Sequence, residues 1–279
     1  MIEDLKNRVI KKAQNDPRVR LVMLNGSRAN LHGDVDRFSD LDIVYYVVDY
    51  ESVVNDQHFF DEFENVLISQ AKEEQLFPKT SEFLGYIKMM QFSNGTRLDL
   101  SIIDVCDLTL SLADKDYYQP LLDKDHRLKG QRLPNQNVFT IDVPTKAYFQ
   151  ANVKEFYWLS LYVMKGLERS MIPYAIEHLS LMRAALEAML AWSIGVEYGW
   201  HIELGKSGKN LPNYLDKEHY QTYLMTYPLA KKASVYESLF TMVNLYRVVS
   251  EKVSKHFGYG ILVNHQAICE YIQKNRRKN

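Results

Sequence analysis

The feature that most limits how these 279 residues can fold is a change of hydrophobic period near Pro144. Beyond it, apolar positions recur every three or four residues. Val153, Phe156, Ser160, Val163 and Leu167 share one helical face, and Ile176, Leu179, Met182, Leu186 and Met189 share a second. A third stripe runs through Val235, Leu239, Met242, Tyr246, Val249 and Val253. Pro173 separates the first two, and Gly205 to Gly208 reads as a loop. Helices of this kind need one another to bury their apolar faces, so residues 145–279 are expected to form an all-α bundle.

Before Pro144 the runs are shorter and mixed. Residues 3–14 have helical character that Asn15, Asp16 and Pro17 bring to an end. Residues 20–25 and 41–48 are rich in Val, Leu, Ile and Tyr, which suit strands, and residues 57–73 read as a helix. Ser93, Asn94 and Gly95 separate two further strand-like runs, 83–92 and 96–103, as in a hairpin. The chain is therefore expected to be α+β, with a mixed sheet and helices over 1–144 and the bundle after it.

Composition removes several functions. Hydrophobic residues make up 46% and charged residues 25%, with a formal net charge of -1, so the chain lacks the basic excess of a nucleic-acid binder. The only dense basic run, Lys274, Arg276, Arg277 and Lys278, reads as a solvated chain end. Cys106 and Cys269 are too few and too far apart for a disulfide framework or a zinc site, and no histidine pair sits at ligand spacing in an acidic cluster. The N-terminus has no apolar leader and no later run reaches the length of an uncharged membrane span, so a cytoplasmic protein without membrane partner is expected. Core packing is expected to account for most of the 19 tyrosines and three tryptophans.

The chemistry concentrates in Leu24-Asn25-Gly26-Ser27-Arg28, Phe38-Ser39-Asp40-Leu41-Asp42-Ile43 and Arg97-Leu98-Asp99-Leu100-Ser101. Residues two apart in a strand share a face, so Asp40 and Asp42 project together where the second strand begins. Two adjacent carboxylates repel, and holding Mg²⁺ turns that repulsion into attraction, with a triphosphate completing the coordination. Asp99 lies between Leu98 and Leu100, which point its side chain away from the core, and Arg97 and Ser101 share its face. Its spacing fits a third metal ligand, a base for an acceptor hydroxyl, or a partner for Arg97, and does not choose among them. Gly26 lets backbone approach a phosphate, and Ser27 adds a hydroxyl to the same turn.

A Gly-Ser turn followed after 12 residues by Asp-x-Asp resembles the signature of the nucleotidyltransferase superfamily. More closely, the chain resembles the aminoglycoside 6-adenylyltransferases, or streptomycin adenylyltransferases. The likeness runs through Glu155-Phe156, Tyr162-Val163, Lys165-Gly166-Leu167, Leu181-Met182-Arg183, Trp192-Ser193-Ile194-Gly195, Gly205-Lys206 and Lys209-Asn210. It implies an N-terminal nucleotidyltransferase fold over 1–144 and a helical domain over 145–279 that closes on ATP and the drug. It also implies transfer of AMP from ATP to a hydroxyl of streptomycin, the 6-hydroxyl, by a Mg²⁺-dependent monomer that confers resistance. Asp40 and Asp42 would hold metal, with Asp99 as base or third ligand. Gly26, Ser27 and Ser39 would face the phosphates, Arg183, Lys206 and Lys209 the triphosphate, and Tyr227 the nucleotide. Glu177 and Glu155 are the candidates for drawing in a cationic acceptor. Other acceptors, a lincosamide or a protein hydroxyl, and a non-catalytic module of the same fold are the alternatives; the last predicts a lost aspartate, and all three are present.

Overall fold

The computed structural model describes residues 1–30, 35–75, 84–113, 116–130, 133, 140–205 and 208–276. The chain divides into two compact units, Met1–Val138 and Phe139–Asn279.

In the first unit, α1 (Ile2–Asn15) buries Leu5, Val9 and Ala13, one residue per turn along a single face. β1 (Val19–Asn25) and β2 (Leu41–Val47) follow, then the short α2 (Tyr50–Val54), β3 (Val66–Ala71), β4 (Tyr86–Phe92) and β5 (Arg97–Asp104). The short α3 (Leu108–Ser111) and β6 (Tyr118–Asp123) complete the unit. The six strands lie in the order β3-β4-β5-β2-β1-β6. β2 and β5 run parallel and every other neighbouring pair antiparallel, so the sheet is mixed.

Central strands β2 and β5 are apolar on both faces because each face is covered. On one side Ile43, Tyr45, Leu100 and Ile102 pack with Val9 and Ala13 of α1, and the Tyr45 hydroxyl donates to the Val9 carbonyl at 2.5 Å. On the other, Val44, Tyr46 and Ile103 pack with Leu108, and the Tyr46 and Ser111 hydroxyls meet at 2.8 Å. These bonds satisfy polar atoms that burial would otherwise penalise by a few kcal/mol each, on the order of 1–3.

The helix expected over 57–73 does not form. Residues 57–65 run through turns in which Phe59 and Phe63 are buried, and 66–71 pair with β4 as an edge strand. Phe59 meets Tyr45 edge to face at 6.3 Å, so its four-residue spacing from Phe63 serves the sheet and not a helix. Asn65 at φ 62° turns the chain into β3, whose β-branched Val66 and Ile68 suit a pleated strand.

The second unit holds α4 (Lys146–Glu168), α5 (Ile172–Tyr198), α6 (Lys217–Leu224), α7 (Lys232–Phe257) and α8 (His265–Asn275). Thr145 caps α4 by accepting the Tyr148 N–H at 3.2 Å, Pro173 sits in the first turn of α5, and Gly258 at φ 67° ends α7. The sequence stripes are the buried faces: Val153, Phe156, Val163 and Leu167 of α4 meet Leu179, Met182, Leu186 and Met189 of α5 and Leu239, Met242 and Tyr246 of α7. Phe156 and Tyr246 stack with ring centroids 3.6 Å apart. α4 approaches α5 closely at Gly166, where a Cβ would stand 2.9 Å from the Tyr174 ring. α5 is long and apolar enough to cross a membrane, but 61% of its most apolar window is buried, as in the core helix of a bundle. Most aromatic residues do pack the cores, Tyr45, Tyr46, Tyr236, Tyr246 and Trp192 among them; Trp158, 59% exposed, does not.

Candidate active site

The candidate aspartates meet at one end of the central strands. The parallel register sets Asp42 of β2 directly beside Asp99 of β5, and the antiparallel register sets Asn25, last residue of β1, on the other side of Asp42. Gly26 follows at φ 68° and opens a single 3₁₀ turn, Gly26–Arg28. Glycine is required there twice over: the left-handed conformation disfavours a side chain, and a Cβ would lie 2.5 Å from Asp42 Oδ2. The turn thus presses its backbone onto one of the two carboxylates of the Asp-x-Asp.

Arg28 locks the approach to β2. Its Nε donates to the Ser39 and Asp40 carbonyls at 3.2 and 3.0 Å, and its Nη2 to the carbonyls of Asp36 and Ser39 at 3.2 and 2.9 Å. Ser39 is part of the same lock, since its hydroxyl donates to Asp36 Oδ1 at 3.1 Å and accepts the Asp36 N–H at 3.0 Å. Ser27, by contrast, makes no hydrogen bond with its hydroxyl to any described residue, and it is only half-buried.

Charge at the site is unbalanced. Arg97 grips Asp99 with both Nε and Nη2 at 2.8 Å and lies 3.6 Å from Asp40 Oδ2. No described residue grips Asp42 in this way, and its carboxyl is pushed up to about 7, first by burial and then by the negative charges of Asp99, Asp40 and Asp116. Burial also raises Asp40, against the pull of Arg97. Among the described residues, Arg97 thus faces at least three carboxylates, with Arg28 adding a weaker pull on Asp40.

Asp116 gives no signal in the sequence. The β1–β6 register pairs Asn25 with Tyr118 and so brings the residues before β6 alongside Asn25, whose Nδ2 donates to Asp116 Oδ2 at 3.4 Å. Asn25 Oδ1 is buried and has no hydrogen-bond partner among the described residues. The orphaned Asn25 oxygen and the Asp42 carboxylate, both hard oxygen donors beside the Gly26 backbone, fit a small divalent cation. No group of three His, Cys, Asp or Glu among the described residues is arranged to hold a metal ion by itself.

The remaining sequence candidates belong to the helical unit. Arg183 of α5 is buried, with Nε donating to Thr226 Oγ1 at 3.0 Å and Nη2 to the Thr226 carbonyl at 2.6 Å. Its guanidinium stands 3.7 Å over the ring of Tyr227, which is half exposed and whose hydroxyl meets that of Tyr223 at 3.0 Å. Tyr223 in turn donates to Glu187 at 2.6 Å. Lys209 is exposed with its stem packed against Gly205, and Glu155 and Glu177 are exposed on α4 and α5. Lys206 lies outside the described residues.

Carboxylates facing each other across adjacent strands, backed by a Gly-Ser turn on a mixed sheet, are the arrangement expected of a nucleotidyltransferase. The chain belongs to the streptomycin adenylyltransferase family, whose model matches residues 1–275. It is 31% identical over 277 residues to an aminoglycoside 6-adenylyltransferase of Campylobacter jejuni, covering 97% of this chain and 94% of that one. Against one of Bacillus subtilis it is 33% identical over 265 residues, covering 94% and 93%. A crystal structure of an aminoglycoside 6-adenyltransferase from Bacillus subtilis is similar with a TM-score of 0.49 at 30% identity, covering 96% and 95% of the two chains.

Proposed function

We propose that this protein adenylylates streptomycin, with ATP as donor and Mg²⁺ as cofactor, the acceptor being its 6-hydroxyl. The observation that carries the reading is Asp42: it faces Asp99 across the β2–β5 pair, backs onto Gly26 and has no ion-pair partner among the described residues. Bound to Asp40, Asp42 and the triphosphate, Mg²⁺ would neutralise charge building on the phosphoryl oxygens. Ser27 offers its unpaired hydroxyl to a phosphate, while Gly26 keeps the backbone close enough to do so. Asp99, oriented by both nitrogens of Arg97, takes the proton of the attacking hydroxyl as it reaches the α-phosphorus and pyrophosphate departs. Ser39 acts through the loop, holding Asp36 and with it the strand start that positions Asp40.

The helical unit contributes the rest of the reading as its substrate- and nucleotide-closing part. Tyr227 offers an exposed ring to the nucleotide, and Arg183, with Nη1 left without a hydrogen bond among the described residues, offers a cation to phosphate. Lys206 and Lys209 are assigned to the triphosphate by resemblance, and the exposed Glu177 and Glu155 to a cationic acceptor. The relatives named aminoglycoside 6-adenylyltransferase in Campylobacter jejuni and Bacillus subtilis support this acceptor class. The test is a panel of aminoglycosides and lincosamides incubated with ATP and Mg²⁺. Streptomycin should be consumed, with its KM rising as salt screens exposed carboxylates. Turnover of a lincosamide alone, or of no small molecule, rejects the assignment.

A further inference from the structure

The outer face of α4 carries a stripe that the bundle core does not use. Trp158, Tyr162, Lys165 and Arg169 step by four, three and four, so they stand above one another on one side of the helix and at its C-cap. Opposite them, Tyr271 and Asn275 lie one turn apart on α8. These six residues line most of a cavity of about 500 Å³, within the roughly 300–1,000 Å³ of small-molecule sites.

One end of the cavity is aromatic and fixed. Trp158 and Tyr271 are 59% and 53% exposed, so both rings are accessible at the cavity wall. The Trp158 Nε1–H donates to the Tyr162 hydroxyl at 3.0 Å, and the two rings meet edge to face. Tyr162 is held from behind by His178, its ring edge-on at 5.2 Å. The Trp158–Tyr162 wall is therefore set before any ligand arrives.

The other end is cationic. Lys165 and Arg169 are exposed and make no ion pair with any described residue. The one carboxylate among the described lining residues, Glu168, is engaged elsewhere: it accepts from the Tyr236 hydroxyl at 2.8 Å and stands 3.1 Å from Lys232 Nζ. Basic residues at a helix C-terminus gain only about 0.3–1 kcal/mol from the helix dipole. That accounts for the charges but not for the aromatic walls beside them.

We propose that this cavity is a ligand site for a flat aromatic ring carrying an anionic group, of nucleoside monophosphate size. The ring lies against Trp158 and Tyr271, and the anion reaches Lys165 and Arg169, one and two turns along α4 from Tyr162, or about 5 and 10 Å. The same free cations turn away a polycationic acceptor, so the ligand differs in kind from the aminoglycoside of the proposed reaction. The inference stands independently of that reaction.

The test titrates AMP into the full chain without divalent metal and follows tryptophan fluorescence. Saturable quenching is expected in the wild type and equally in Asp42→Asn, and it should vanish in Trp158→Phe. Lys165→Gln/Arg169→Gln, whose side chains are exposed, should fold and should weaken binding by at least about tenfold, the scale of a lost charge-assisted hydrogen bond. Adenosine and inorganic phosphate, each with half of the chemistry, should bind at least about tenfold more weakly than AMP. Absence of quenching in the wild type, or quenching with unchanged affinity in the double variant, overturns the proposal. So does a double variant whose only change is a lower Tm, which would leave Lys165 and Arg169 serving the helix terminus alone.

Discussion

Replacing Gly26 by alanine tests the cradle against Asp42, and the hairpin glycine Gly95 provides its control. Both residues have positive φ, 68° and 87°. A Cβ at Gly95 meets nothing within 4 Å, whereas one at Gly26 meets Asp42 Oδ2 at 2.5 Å and Cγ at 3.2 Å. Gly95→Ala therefore suffers the left-handed backbone penalty alone, about 1–2 kcal/mol, or about 3–6 °C in Tm for a unit of this size. Gly26→Ala bears the same penalty and must in addition displace the Asp42 carboxylate by several tenths of an ångström or more. Misplacement on the scale of 1 Å at a reacting centre costs about 10²-fold in rate. AMP transfer by Gly26→Ala should fall by about that factor while Gly95→Ala stays near wild type, as measured by steady-state turnover beside thermal unfolding of both proteins. Equal turnover by the two variants would show that Gly26 does not hold Asp42 in a working position.

Other consequences follow from the same geometry. With Asp42 raised to about 7 in the fold against an ordinary 3.8, the stability from its protonated form is complete below pH 3.8 and lost as pH rises through 7. Metal-free wild type should thus lose ground to Asp42→Asn between pH 4 and 8, by up to the order of 4 kcal/mol, and parallel thermal unfolding curves would contradict this. Asp99→Asn should slow the single-turnover step by about 10²- to 10⁴-fold with little change in Mg²⁺ affinity; a matching loss of affinity would make Asp99 a ligand, and near-normal turnover would leave it only the partner of Arg97. Arg183→Lys gives up the planar fork to Thr226 and the stack on Tyr227, and should cost about 1–3 kcal/mol in denaturant unfolding; an unchanged midpoint refutes that structural role.

How much of this was readable beforehand differs from element to element. The bundle was legible because Val153 to Leu167, Leu179 to Met189 and Val235 to Val253 each repeat one burial pattern over several turns, and local period alone decides which face turns inward. Strands whose neighbours are local, such as the hairpin β4–β5, announced themselves by Ser93-Asn94-Gly95. β6 did not, because Pro120 and the lack of alternation disguise it; its place at the sheet edge is what tolerates a proline. Residues 57–73 misled because Phe59 and Phe63 mimic a helical stripe while pairing with β4 fixes the second half as a strand. At the candidate site, the shared placement of Asp42 and Asp99 at one strand end was legible from period-two spacing beside apolar neighbours. The grip of Arg97 on Asp99 was one of several pairings the spacing allowed, and the presence of Asp116 beside Asn25 depends on strand order, which no local pattern encodes.

The most direct test of the account is the mass of streptomycin after incubation with ATP and Mg²⁺, taken in parallel with wild-type protein and with Asp42→Asn. Wild type should add one AMP to the drug and release one pyrophosphate. Asp42→Asn, which loses a charge but no volume, should remain folded and add none. An unmodified drug with the wild type, or full modification by the Asp42 variant, would contradict the claim that this carboxylate site transfers AMP to streptomycin.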